Sequence, residues 1–144
     1  MTTTMTRDKH GQIHVDSETG DCFRASMSYL LGVPNSPDLP NDHSEPGRFL
    51  GWQEWLRPFG LELEWDAKRI WREGLWILSV QSKNMPGKTH AIVMRGNRVE
   101  FDPSPHRRYR RGRRLLGDKA VVGGYYLVVS DPRALWRLVS GQRP

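Results

Sequence analysis

The sequence predicts an α+β domain in which helices come first and the strands of an antiparallel sheet follow. Apolar residues recur at helical spacing in the first part of the chain and alternate or form short runs later. Gly96 and Asn97 separate two strand-like segments at hairpin spacing. A chain of 144 residues with 37% apolar residues can build one core. We therefore expect one domain over residues 1–144, with a loose polar segment at residues 1–11.

The first helix is predicted to begin at or beside Cys22. Asp21 is a favourable N-cap residue, and apolar residues at helical spacing follow it. Gly32 and then Pro34 indicate where this helix ends. Four prolines within residues 33–47 indicate a surface loop.

A second helix is predicted over residues 48–56, with Trp52 and Trp55 in the core. From residue 61 onward the pattern becomes strand-like, and the apolar run at 75–81 is typical of a central strand. A short helix over residues 132–139 has proline at its first turn. The predicted strands are 61–65, 75–81, 90–95, 98–101 and 124–129.

The positive charge of the chain is concentrated in one short segment. The formal net charge is +6, and six arginines lie between residues 107 and 114. Without them, the 22 Lys and Arg residues fall to 16, which equals the number of Asp and Glu residues. The basic character is therefore local, in an arginine-rich loop at residues 106–114.

The single cysteine cannot form an internal disulfide, which argues against an oxidising compartment. The first residues lack the apolar core of a signal peptide, and no stretch approaches the roughly 20 apolar residues of a membrane span. We therefore expect a cytoplasmic protein with no membrane partner.

Cys22 is the candidate nucleophile. A helix N-terminus and a nearby imidazolium both favour the reactive thiolate, and backbone N–H groups at the same helix end can stabilise an oxyanion. The alternative is that the only cysteine is a small buried apolar residue.

His90 and Asp102 are the candidate partners of this cysteine. If Gly96 and Asn97 form the turn, both residues lie at the open end of one hairpin and become neighbours. His90 would then act as general base, and Asp102 would orient the imidazole and stabilise its charged form. The alternatives are that His90 is a surface histidine and that Asp102 and Pro103 form a turn that ends a strand.

The segments Gly-Asp-Cys-Phe-Arg-Ala at 20–25, Thr-His-Ala-Ile-Val-Met-Arg-Gly at 89–96 and Val-Glu-Phe-Asp-Pro at 99–103 resemble the papain-like cysteine peptidase superfamily. The sequence is most similar to its double-glycine leader peptidase branch and to small phage and prophage proteins, over about residues 12–130. The resemblance implies a papain-like fold and hydrolysis of a peptide or isopeptide bond through an acyl-enzyme, without a cofactor. A phage-encoded protein would work in the host cytoplasm.

The chain departs from that branch at the oxyanion-hole donor. The branch has a glutamine about six residues before its cysteine, and here Asp16 occupies that position. Gln12, the nearest upstream glutamine, is the candidate donor. A zinc site formed by His10, His14 and Cys22 is disfavoured, because residues four apart on a strand are about 13 Å apart and there is no Cys-x-x-Cys pair.

The arginine-rich loop is the candidate partner-binding segment. Charge repulsion should keep it extended, near the proposed active site, where it could contact nucleic acid or an acidic protein and where Tyr109 could stack on a base. A solvated loop is the alternative. A non-catalytic papain-like binding or inhibitory protein that uses this loop is the second functional hypothesis. The candidate binding residues are Arg107, Arg108, Tyr109, Arg110, Arg111, Arg113 and Arg114.

Overall fold

The computed structural model describes residues 22–41, 47–67, 73–81, 89–104, 109–115, 121–129 and 133–139. The predicted strands and helices are all present within these ranges. A short 3-10 helix, Arg57–Phe59, also follows the second helix. The elements are α1 (Cys22–Leu31), α2 (Gly47–Leu56), β1 (Leu61–Asp66), β2 (Leu75–Gln81), β3 (Thr89–Arg95), β4 (Arg98–Phe101), β5 (Val121–Val129) and α3 (Ala134–Val139).

The five strands form one antiparallel sheet in the order β1-β5-β2-β3-β4. The prediction that residues 75–81 form a central strand is confirmed, since β2 lies between β5 and β3. β5 begins at Val121, three residues earlier than predicted. It inserts between β1 and β2, a long-range pairing that local patterns do not encode.

Helix α1 is buried around its whole circumference, from Phe23 to Leu31. It ends as predicted at Gly32, which has a φ of 74°. The Gly32 N–H donates to the Tyr29 carbonyl at 3.3 Å, and the Val33 N–H donates to the Ser28 carbonyl at 3.0 Å. This paired arrangement is the Schellman ending of a helix, which favours glycine at the left-handed position. The predicted N-cap, Asp21, lies outside the described residues.

The helices and one face of the sheet enclose the larger core. Trp52 is buried there, and Trp55 packs against its ring at 5.5 Å, as expected for this helix. The opposite face of the sheet has a second apolar cluster around Trp76 and Tyr126. Tyr109 and Leu115 complete that cluster from a segment predicted to be a loop. The sheet is therefore packed on both faces.

Two consecutive glycines in β5 permit the close packing of tryptophans on the sheet. A Cβ atom at Gly123 would lie 2.5 Å from the Trp65 ring, and one at Gly124 would lie 2.8 Å from the Trp76 ring. Real Cβ atoms do not approach other atoms so closely. The glycine pair is therefore a packing requirement on both faces of β5.

Candidate functional site

His90 and Asp102 are direct neighbours. His90 is the second residue of β3, Asp102 follows the last residue of β4, and His90 Nε2 lies 2.6 Å from Asp102 Oδ1. The Asp102 side chain is fully buried, whereas that of His90 is 15% exposed. The prediction that the hairpin brings these two residues together is confirmed.

The hairpin does not keep a single register between its turn and its open end. Met94 pairs with Val99 near the turn, but Val93 pairs with Phe101, so Glu100 is an extra residue in β4. Such a bulge shifts all later pairings by one residue. Because side chains alternate between the two faces of a sheet, a shift of one residue exchanges those faces.

This shift determines on which face Asp102 lies. The register set by the turn would place Asp102 opposite Ala91, whose side chain points to the other face from that of His90. Beyond the bulge, Asp102 instead follows the register of Ile92, on the same face as His90. The bulge therefore lets the carboxylate reach the imidazole.

Both carboxylate oxygens of Asp102 accept hydrogen bonds from nearby amides. The Ser104 N–H donates to Oδ1 at 2.9 Å, and the Tyr109 N–H donates to Oδ2 at 3.0 Å. Burial alone raises the pKa of Asp102, but the bond and charge of His90 and these two amides outweigh it and lower the pKa. The carboxylate is therefore held in its ionised form.

Cys22 is the first residue of α1 and lies against His90. The helix is anchored to the adjacent strand by the Ser26 hydroxyl, which donates to the Ala91 carbonyl at 3.3 Å. Burial lowers the pKa of His90, but hydrogen bonds to Asp102 and to the Cys22 side chain and the charges of both raise it to about 9. The imidazole is therefore protonated at neutral pH.

One imidazole interacts with both the carboxylate and the thiol side chain. Nε2 of His90 is bonded to Asp102, and the Cys22 side chain is hydrogen-bonded to the same imidazole. A protonated ring between two acceptors stabilises negative charge on sulfur and on the carboxylate. Such a group can deliver a proton to a leaving atom once sulfur has attacked a carbonyl.

A second carboxylate ties the same strand to α1. Glu100, the extra residue of the bulge, accepts a 2.6 Å hydrogen bond from the Tyr29 hydroxyl. Its other oxygen lies 3.3 Å from Arg95 Nε and 3.6 Å from Arg111 Nη2. Burial raises the pKa of Glu100, but these partners outweigh it and lower the pKa. Sequence reasoning missed this contact, whose only local signal is a charged residue inside a four-residue strand.

The sequence predicts an extended loop that charge repulsion keeps open. Its described part instead makes a turn at residues 111–112 and packs against β4. Residues 109–115 lie alongside β4: the Gly112 N–H donates to the Val99 carbonyl at 2.7 Å, and the Val99 N–H donates to the Arg113 carbonyl at 2.8 Å. Arg98 and Arg114 also form an isolated antiparallel bridge. Backbone pairing with an edge strand outweighs repulsion between exposed arginines, which water screens.

The expectation that Tyr109 stacks on a base is wrong. Its side chain is only 4% exposed and packs in the second core beside Trp76 and Leu115. An aromatic ring gains more from burial than from exposure in a charged loop. Arg110, Arg111, Arg113 and Arg114 have exposed side chains.

The predicted site residues Gln12, Arg107 and Arg108 lie outside the described residues, as do Asp16, at the expected donor position, and His10 and His14 of the disfavoured zinc site. Within the described ranges, no group of three or more His, Cys, Asp or Glu side chains could hold a metal ion. None of the helices described is long and apolar enough to cross a membrane.

Comparison of the sequence with protein families and with curated proteins, and of the structure with solved structures, finds no match. The geometry of Cys22, His90 and Asp102 is therefore the basis for any functional assignment.

Proposed function

We propose that this protein is a thiol-dependent hydrolase that cleaves a peptide or isopeptide bond, with Cys22 as nucleophile, His90 as acid and base, and Asp102 as the residue that orients His90. The observation that carries the proposal is the buried 2.6 Å contact between His90 and Asp102, with Cys22 on the same imidazole. Groups whose pKa values are shifted by burial together with a specific charged partner cluster at functional sites, and His90 is such a group.

The proposed reaction has two stages. The Cys22 thiolate attacks the substrate carbonyl carbon, and protonated His90 gives its proton to the leaving nitrogen as the C–N bond breaks. The products of this stage are an amine and a thioester on Cys22. Neutral His90 then takes a proton from water, the resulting hydroxide attacks the thioester, and the C–S bond breaks to release the carboxylic acid, which restores the Cys22 thiolate and protonated His90.

Two features of the chain would stabilise the intermediates. Amide N–H groups in the first turn of a helix have no intrahelical acceptor, so the start of α1 can stabilise the oxyanion formed beside Cys22. Asp102 would stabilise the imidazolium throughout, since the bond and charge of His90 and two amide hydrogen bonds hold the carboxylate ionised against the effect of burial.

We include a papain-like fold in the same proposal. Support comes from α1, which begins at the cysteine and packs on an antiparallel sheet whose β3 starts at the histidine. The carboxylate that follows β4 completes the order Cys, His, Asp along the chain.

The first test is the pH dependence of Cys22 alkylation by iodoacetamide, followed by mass spectrometry. In the wild type we expect a midpoint well below the value of about 8.5 of an ordinary thiol. In His90→Ala the midpoint should rise, because the imidazolium that stabilises the thiolate is lost. Cys22→Ala should be folded and inactive against any substrate that a peptide and isopeptide screen then identifies.

A matched control is Ser28→Ala, since Ser28 is buried in α1 and its hydroxyl bonds to a carbonyl of the same helix. Its alkylation midpoint should equal that of the wild type. An ordinary midpoint in both wild type and His90→Ala would contradict the proposal and favour the non-catalytic binding protein instead.

A further inference from the structure

Six exposed arginines lie on three neighbouring backbone segments beside the candidate site, namely β3, β4 and the segment that pairs with β4. Four come from the segment that lies along β4, and two come from the hairpin itself. We call this surface the arginine edge. It consists of Arg95, Arg98, Arg110, Arg111, Arg113 and Arg114.

The backbone of the arginine edge is anchored at both ends. At one end the Tyr109 N–H bonds to Asp102, and at the other Arg114 bridges to Arg98, whose guanidinium also donates to the Gly112 carbonyl at 2.8 Å. Residues 98 to 102 of an extended strand span about 13 Å. The edge is therefore a track of about this length that begins at the carboxylate holding His90.

Within the part of the chain that the structure describes, the carboxylate of Glu100 pairs with Arg95 and Arg111. The six guanidinium groups of the arginine edge outnumber this carboxylate, so the edge attracts anions. Exposed arginines on a fixed backbone make a strong attractor for anions, because little backbone entropy is lost on binding.

The chemistry of the edge favours carboxylates over nucleic-acid bases. The tyrosine of the segment, Tyr109, is buried, so it does not offer a stacking surface. Guanidinium groups pair well with carboxylates, and on the protein's own surface the Oε1 atom of Glu100 lies 3.3 Å from Arg95 Nε and 3.6 Å from Arg111 Nη2.

We propose that the arginine edge binds an acidic segment of the substrate polypeptide, about four residues long, next to the bond that is presented to Cys22. Four residues of extended chain match the length of the track. This inference rests on the proposed hydrolase function and adds the substrate class to it.

The test uses peptide affinity labels. An iodoacetyl group on a lysine alkylates Cys22 when sulfur displaces iodide, and four Glu residues are placed on either the N-terminal or the C-terminal side of that lysine. The matched labels carry Gln instead of Glu. We expect one of the two Glu labels to react about fivefold faster than its Gln counterpart at low salt, with the advantage lost as salt is raised.

Two variants with the same change in net charge separate a local from a general effect. In Arg110→Gln/Arg114→Gln the advantage of the Glu label should fall to about twofold or less. In Arg57→Gln/Arg133→Gln the advantage of the Glu label should persist, because both residues lie far from the arginine edge. Arg57 precedes β1, at the opposite edge of the sheet, and Arg133 precedes α3, which contacts the 3-10 helix that contains Arg57. Equal losses in the two variants would overturn the inference.

The same measurements distinguish this inference from the proposed function. If plain iodoacetamide shows the activated Cys22 but the Glu and Gln labels react alike, the hydrolase proposal stands and the acidic-substrate inference fails. If Cys22 is not activated, both fail. A short DNA duplex and octaglutamate can each be tested as competitors that protect Cys22 from the Glu label. If the duplex protects at a lower concentration of negative charges than octaglutamate, the partner is nucleic acid and the acidic-polypeptide inference is overturned.

Discussion

The buried end of β4 and the segment 109–115 that runs beside it differ in which part of the chain is held in place. At Asp102 the side chain is fixed, with both oxygens bonded inside the protein. Along the neighbouring segment the backbone is fixed by bonds to β4, while the arginine side chains are exposed.

This difference suits the two roles that we propose for this part of the chain. A group that moves protons at a set distance needs a fixed position, because a displacement of about 1 Å can cost about a hundredfold in rate. A surface that recognises an extended anion tolerates many side-chain conformations, provided that the backbone is steady. The Tyr109 amide joins the two regions through Asp102.

Removing the shared carboxylate should have the largest effect. Asp102→Ala leaves His90 charged and partly buried and deprives the Tyr109 amide of its acceptor, so we expect the free energy of unfolding to fall by about 3–5 kcal/mol. Trypsin should then cleave the arginine segment faster in the native state. Urea unfolding and the cleavage rate measure the two effects, and exposed Asp38→Ala is the control. Unchanged cleavage would show that the regions are independent.

The pH dependence of stability should be the next largest effect. Because the pKa of His90 is raised from 6.5 to about 9 in the folded protein, its contribution is fully present below pH 6.5 and is lost as the pH rises through about 9. The expected contribution is about 3 kcal/mol. Urea unfolding between pH 6 and pH 10 measures it.

The variant Cys22→Ala sharpens that measurement. It removes the bond and charge of the thiolate, so the pKa of His90 should fall and the loss of stability should occur at lower pH. In His90→Gln the loss of stability as the pH rises through about 9 should be absent. If stability depends on pH in the same way in Cys22→Ala and in the wild type, the cysteine does not affect the pKa of His90.

Loosening the bulge should have a smaller effect. Tyr29→Phe removes the hydrogen bond to Glu100, and we expect the free energy of unfolding to fall by about 1.5 kcal/mol. A double-mutant cycle with Glu100→Gln should give a coupling of about 1 kcal/mol. Additive effects would mean that this contact does not stabilise the bulge.

Neutralising the exposed arginines should have almost no effect on stability. In Arg110→Gln/Arg114→Gln we expect the free energy of unfolding to stay within about 0.5 kcal/mol of the wild type, because the backbone of the segment, and not these side chains, is anchored. Thermal unfolding measures this difference. A loss of several kcal/mol would show that the side chains hold the segment in place.

Much of the fold could be predicted because its signals are local. The start of α1 beside Cys22, the Gly32 ending and the turn at Gly96 and Asn97 all follow from the backbone preferences of one or two residues. The insertion of β5 between β1 and β2 could not be predicted in this way, since it joins segments that are far apart in the chain.

In the candidate site, too, some features follow from local signals and others from contacts between distant residues. The sequence by itself determined which residue types stand at the start of α1, at the start of β3 and after β4, and therefore that a thiol, an imidazole and a carboxylate lie at one end of the sheet. Only the tertiary structure decided on which face Asp102 lies, because the bulge at Glu100 reverses the face that the turn alone would assign. It also decided that Tyr109 is buried and the arginines beside it are held along β4, since edge pairing and aromatic burial depend on partners distant in sequence.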